Sequence, residues 1–405
     1  MILLAKVAAV VLLLLVLIRK KWDLGLVLIL DTALTGLLFG MKPLEFLRQA
    51  GRAVVDPETL ELLGILVFVL YLGNFLQAGG HFRQMVDALK SLVKDARLIL
   101  AIPSAFIGLL PMMAGAMMGA PIVEEAARRW GLSPAWKTFL NYWFRHIWEY
   151  SWPLYMNLIL ASTIFEVPIA RICLVQAPFT VLAASAGLVI LFRHVPYAAN
   201  PKPNGRRTTD SIRVFWSIWP IFLTVILMFV FGLPMLPALA AASVLSQVFS
   251  RLPWAERLTV FRKSVTPRII FLTVAVMVFK RILETSGALE AIGKVVEPQG
   301  ASGYLLLFAA PFTIGLLTGV NQAFVAIAFP LLVPIIGRGA PDMVLLLFAY
   351  VSGFVGILLS PAHLCLALTA DYFKADLRDV YKILVWPTAA VFAAAIAALL
   401  IFRII

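Results

Sequence analysis

Two stretches of the chain repeat one another 207 residues apart, and both lie in segments apolar enough for a membrane. Ile107-Gly108-Leu109-Leu110 recurs as Ile314-Gly315-Leu316-Leu317, Leu76 meets Leu283, Gly80 meets Gly287, and Gly25-Leu26 meets Gly232-Leu233. Farther on, Ser151-Trp152-Pro153 falls opposite Ser360-Pro361 at an offset of 209, which needs only a two-residue insertion. A duplicated hydrophobic unit interrupted by Gly and Pro at matching places points to a secondary transporter and to the site where it binds.

The composition narrows the alternatives. The chain is 62% hydrophobic and only 14% charged, too little polar surface for a water-soluble protein of 405 residues. The net charge of +13 does not call for a nucleic-acid partner, because the basic residues sit in short loops between apolar spans. Cys173 and Cys365 lie in or beside such spans and lack the spacing of a disulfide, a thiolate metal site or a redox pair. The opening apolar run 2–18 is followed directly by Arg19-Lys20-Lys21, the reverse of a secretory signal, and is expected to be a retained helix.

The expected architecture is an all-α integral membrane protein made of two inverted repeats. It has about ten transmembrane helices and two re-entrant helical hairpins. The first repeat covers 1–195, with helices near 2–18, 24–41, 60–78, 134–165 and 172–192, an interfacial stretch at 81–97 and a hairpin at about 98–128. A polar linker, 196–211, is placed on the cytoplasmic side. The second repeat covers 212–405, with helices near 214–231, 234–249, 267–283, 341–370 and 383–402 and a hairpin at about 303–336.

Length and charge favour hairpins over single crossings. Thirty-four residues of helix would run about 51 Å, against a hydrocarbon core of roughly 30 Å. Segment 303–336 also holds Pro311, Gly315, Gly319, Pro330 and Pro334. With both segments re-entrant and the N-terminus outside, 23 Lys and Arg fall on the cytoplasmic side and 10 outside; with both crossing once, the split is 14 and 19. Five crossings per half is odd, so the halves are inverted and both termini lie outside an inner, cytoplasmic membrane.

This pattern, five helices and a hairpin per half with the following helix broken near its middle, resembles the ion transporter superfamily. Within it, Pro111 to Leu158 (PMMAGAMMGAPIVEEAARRWGLSPAWKTFLNYWFRHIWEYSWPLYMNL) resembles a permease family catalogued as domain of unknown function 401. The likeness is sharpest there and over Thr318–Pro330 with Ser360–His363. It implies a scaffold, a moving transport domain, coupling to Na⁺ or H⁺ and a homodimer. The Ser-Asn-Thr triplets of dicarboxylate symporters are absent from both tips, so sodium coupling and a dicarboxylate cannot be transferred residue by residue.

The residues themselves offer three groups of candidates. At the second tip, Thr318, Gly319, Asn321 and Gln322 place hydrogen-bonding side chains beside a glycine, a setting for substrate contact or for satisfying unwound backbone. At the first, Met112, Met113, Met117 and Met118 surround Gly115 and Gly119, which suits packing, while Ala114 and Gly115 expose backbone able to hold an ion.

The third group is the run 141–153. Asn141, Arg145 and Glu149 share one helical face with Trp148 adjoining, and Arg145 lies about 16 Å into a helix starting at Pro134. A charge at that depth costs at least ~2.5–3.5 kcal/mol and must be paired or face a wet cavity. Arg145 and Glu149 are therefore either a structural ion pair or an anion site with a proton-responsive neighbour in Glu149 or His146. Ser151 and Ser360 stand at Pro-broken points whose freed carbonyls suit a small cation, with Asn157 and His363 just beyond. Asp31 reads as a snorkelling or packed residue.

These features predict a secondary active transporter of a small organic anion of carboxylate type, coupled to H⁺ or Na⁺ and working by an elevator movement. No cofactor or catalytic residue is expected. The alternatives are a translocase of a lipid-linked anion such as polyprenyl phosphate and, with no HExxH, GxSxG or paired-acid motif in support, an intramembrane enzyme.

Overall fold

The computed structural model describes residues 2–109, 115–199, 207–250, 252–295 and 300–404. Among them every named element is helical; the one extended feature is an isolated bridge between Asp95 and Ala199. The helices begin with α1 (Ile2–Arg19), α2 (Leu24–Leu38), α3 (Pro43–Val55), α4 (Pro57–Ala78) and α5 (His81–Leu92). A 3-10 turn at Ala96–Leu100 leads to α6 (Ile102–Ile107) and α7 (Gly115–Ala127). Next come α8 (Pro134–His146), α9 (Met156–Phe165) and α10 (Ile169–His194).

After the linker the order continues with α11 (Arg207–Phe229), α12 (Met235–Val248), α13 (Trp254–Ser264), α14 (Pro267–Thr285) and α15 (Ala288–Val295). The chain then forms α16 (Ala301–Thr318), α17 (Asn321–Ile336), α18 (Met343–Leu358), α19 (Leu364–Phe373) and α20 (Leu377–Ile404). Five of these, α4, α10, α11, α16 and α20, are long and apolar enough to cross a membrane.

The helices associate in two groups. In one, α2 and α3 pack on α14, α4 on α12 and α13, and α5 on α11. In the other, α7 and α8 pack on α19, α9 on α17, α10 on α18 and α20, and α16 on α18. Contacts of α1 with α16, α4 with α9 and α14 with α17 join the two.

Several boundaries differ from the expected ones, for physical reasons. Helices α3, α13 and α15 have no counterpart in the expected set, because their mixed polar composition hides them from a search for apolar spans. Helix α11 starts at Arg207 rather than 214, inside the expected linker. The breaks expected within 134–165 and 341–370 are present: each span is two helices separated by an unwound stretch, at 151–155 and 359–363, where Pro153 and Pro361 supply no backbone donor.

The second tip is also tighter than expected. Thr318 closes α16 and Asn321 opens α17, leaving only Gly319 and Val320 outside helix. Gly319 has φ 61°, and a Cβ there would fall 2.4 Å from the backbone nitrogen of His363, so no other residue fits.

Lys280 lies within α14 and is buried. Its Nζ donates to both carboxylate oxygens of Glu58 (2.7 and 2.9 Å) and to the carbonyl of Thr163 (3.2 Å). Arg338, beyond α17, bridges Glu284 of α14 and Glu166 at the end of α9. These ion pairs stitch the two helix groups together on one side.

Candidate functional site

Helix α8 carries the site. Ser133 caps it by accepting from the Trp136 amide, and Pro134 occupies a first-turn position where a missing donor costs nothing. The helix runs to His146, tightens into a 3-10 turn over Ile147–Tyr150 and unwinds at Ser151. Asn141, Arg145, His146 and Glu149 are all buried as a result, although four polar residues on one short stretch would ordinarily face water.

Arg145 and Glu149 form an ion pair, Nη1 to Oε1 at 3.7 Å, with 4% and 2% of their side chains exposed. Residues that open α7 and α17 meet this pair. Gly115, the first residue of α7, lies so close that a Cβ would stand 2.9 Å from Arg145 Nε and Nη2. Asn321, the first residue of α17, donates from Nδ2 to Glu149 Oε2. Residues from the two halves thus clasp one cation and one anion.

The neighbouring polar groups hold this arrangement. Trp148 Nε1 donates to the Ala105 carbonyl at 2.8 Å, and Tyr155 Oη donates to the Gly108 carbonyl at 2.5 Å, so the open end of α6 is satisfied by the broken helix. Gly108 itself packs where a Cβ would sit 2.2 Å from the Arg145 carbonyl. Asn157 donates to Tyr350 Oη (2.5 Å), which donates to the Glu149 carbonyl (2.5 Å). Among the described residues, Asn157 Oδ1 and Asn321 Oδ1 are buried without a hydrogen-bond partner. Two unsatisfied buried acceptors near one ion pair mark a place where a further donor would be welcome.

The remaining candidates separate into two sets. Asn141 is engaged in packing: Nδ2 donates to the Ala116 carbonyl (2.8 Å) and Thr369 Oγ1 (3.3 Å), and Oδ1 accepts from Ser104 (3.0 Å). Ser151 pairs with Thr180 (2.7 Å), and Ser360 donates to the Leu316 carbonyl (2.7 Å). Thr318 caps its own helix through the Ile314 carbonyl, and Gln322 reaches Met156 Sδ at 3.3 Å. Ala114, Met112 and Met113 lie outside the described residues.

His146 and His363, from opposite halves, come together at 3.0 Å between their Nε2 atoms. Cys365 joins them, the three ligand atoms lying within 4.8 Å of one another. Neither Cys365 nor Tyr350 stood out in the sequence: Tyr350 lies 193 positions from Asn157, and Cys365, though two residues from His363, lies 219 from His146.

Outside the site, Asp31 is completely buried in α2, and neither carboxyl oxygen has a hydrogen-bond partner among the described residues.

No curated protein matches this sequence. A family model described as "protein of unknown function (DUF401)" matches residues 2–405. With essentially the whole sequence covered, the chain belongs to the DUF401 family.

Proposed function

We propose that this protein is a secondary active transporter of a small organic anion of carboxylate type, with Arg145 as the anion's main ligand. The observation that carries the reading is the convergence of Gly115 and Asn321, one from each half, on the buried Arg145–Glu149 pair. A cation held at 3.7 Å from its counter-ion, rather than in a tight bidentate pair, can exchange part of that contact for a carboxylate. Asn321 Nδ2, the α17 N-terminus and Gly115 backbone would complete the anion's surroundings.

Internal symmetry supports two related, inverted halves. A Cβ at Gly108 would meet the Arg145 carbonyl, and one at Gly315 would meet the Gly353 carbonyl at 2.4 Å. Gly80 and Gly287 are both left-handed, and α9 and α19 both end on left-handed non-glycine residues, Glu166 and Lys374. The charge asymmetry of the loops favours α6–α7 and α16–α17 as hairpins that enter and leave on one side.

In this reading α1–α5 with α11–α15 are the scaffold, and the other group carries the site across by an elevator movement. The resemblance to the ion transporter superfamily adds coupling to H⁺ or Na⁺, a homodimer and an inner-membrane location. The near-complete burial of Arg145 and Glu149 argues against a groove open to lipid, and hence against a polyprenyl phosphate substrate.

The test is uptake into proteoliposomes containing the purified protein, across a panel of mono-, di- and tricarboxylates, with proton and sodium gradients imposed separately. Accumulation that needs one of the gradients is the expected result. No gradient-dependent uptake of any member would remove the proposal.

A further inference from the structure

The geometry points to a zinc-binding site made by His146, His363 and Cys365, independent of whether the protein transports anything. The two imidazoles fix the argument. His146 Nδ1 lies 2.6 Å from the Tyr142 carbonyl, and His363 Nδ1 lies 2.6 Å from the Gly319 carbonyl. A carbonyl oxygen can only accept, so each Nδ1 carries the ring proton. In the neutral rings both Nε2 atoms then present lone pairs, and they face each other at 3.0 Å inside the protein, with the Cys365 thiol hydrogen-bonded to His146. Two buried acceptors so close together need an electrophile between them.

The third member decides which electrophile. Cys365 Sγ falls in the same cluster, so the set offers two imidazoles and one thiol, all with their residues under a tenth exposed. Imidazole and thiolate together suit zinc, whereas calcium and magnesium demand oxygen ligands. Glu149 Oε1, 3.7 Å from His146 Nε2, stands within reach as a fourth ligand. Bonds of about 2.0–2.1 Å to a tetrahedral centre separate two nitrogens by roughly 3.3 Å, so the rings need part by only a few tenths of an ångström.

The supporting shell is in place as well. A zinc-bound histidine usually donates its other nitrogen to a carbonyl or carboxylate, which fixes ring and tautomer, and both rings here do so. Zinc would balance its charge against the Cys365 thiolate and Glu149. It would pin the end of α8 to the start of α19 and, through the His363 bond to Gly319, steady the tip between α16 and α17. A proton shared by the imidazoles, with the Cys365 thiol hydrogen-bonded to His146, is the metal-free alternative that the experiment must separate from zinc.

Full-length protein in detergent, stripped with a chelator, should take up one Zn²⁺ per chain in competition with a chromophoric chelator. Co²⁺ in its place should give a thiolate-to-metal charge-transfer band with tetrahedral ligand-field absorption. Cys365→Ser, nearly isosteric, should abolish the charge-transfer band and weaken Zn²⁺ binding by about 10–100-fold while the protein elutes as the same species. His363→Gln should weaken Zn²⁺ binding likewise, while the Co²⁺ that still binds keeps its thiolate charge-transfer band. Wild-type protein that binds no stoichiometric Zn²⁺, or binds it no better than folded Cys365→Ser, would overturn the site and leave the shared proton as the explanation of the histidine pair.

Discussion

Asn321 donates a hydrogen bond to Glu149, joining the first turn of α17 to the 3-10 turn that follows α8 across 172 residues of sequence. That single contact places a tip of one half against the charged centre of the other. Removing it should be felt at the centre rather than in the fold. Asn321→Ala is expected to weaken substrate affinity about tenfold, roughly 1.4 kcal/mol, with little change in melting temperature. Apparent KM for uptake beside a thermal melt in detergent would check both halves of the statement.

The Arg145–Glu149 pair predicts strong non-additivity. Each group alone would be left as an uncompensated buried charge, so Arg145→Gln or Glu149→Gln should each cost about 3–5 kcal/mol of stability. The double variant, which buries no net charge, should recover most of that loss. Thermal or denaturant stability of the four proteins in one detergent forms the cycle.

Two glycines beside Arg145 should behave differently when given a methyl group. At Gly108 the added carbon meets the Arg145 backbone carbonyl at 2.2 Å, which cannot move without shifting α8. At Gly115 it meets the guanidinium at 2.9 Å, the end of a flexible side chain. Gly108→Ala is therefore expected to reduce folded yield severely. Gly115→Ala should fold and raise KM, because the displaced guanidinium no longer sits where the anion needs it. Folded yield by size exclusion and KM from uptake separate the two outcomes.

Lys280 should be among the most stability-critical charges of the chain. It is 5% exposed and holds Glu58 and the Thr163 carbonyl together. Lys280→Met takes a charged donor from the partly exposed Glu58 and from the Thr163 carbonyl and should cost about 1.5–3 kcal/mol. The exposed pair Lys382–Asp379 supplies the contrast: Lys382→Met should change stability by less than about 1 kcal/mol. Melting curves of both variants measure the difference.

Asp31 predicts an effect of the opposite sign. Its buried carboxyl makes no hydrogen bond with a described residue, and a polar group in that condition costs about 1–3 kcal/mol. Asp31→Leu, close in shape, should raise the melting temperature if α2 serves only as scaffold. A fall in stability would mean that Asp31 has a partner essential to the fold.

Much of this site was legible in the sequence because its signals are local. Arg145 and Glu149 are four residues apart on one helix, Pro153 and Pro361 mark the unwound points, and Gly319 marks the sharp turn between α16 and α17. The rest depends on meetings between distant residues. Cys365 and His363 reach His146 only once α19 has packed on α8, and Glu58 finds Lys280 only when α4 and α14 pack together. Helices α3, α13 and α15 are silent for another reason: α3 and α15 are amphipathic and α13 is of mixed polarity, so none presents an apolar run of spanning length. Asn141 shows the converse. Its place on the Arg145 face suggested a ligand contact, yet its amide is occupied by Ala116, Thr369 and Ser104.

The most direct measurement compares uptake by wild-type protein with uptake by the Arg145→Gln/Glu149→Gln double variant in matched proteoliposomes, at equal amounts of folded protein. If the pair receives the anion, the wild type accumulates its carboxylate under an imposed gradient and the double variant does not, although it is folded. Uptake by the double variant at the wild-type rate would contradict the account, reducing Arg145 and Glu149 to a structural ion pair and moving the binding site elsewhere.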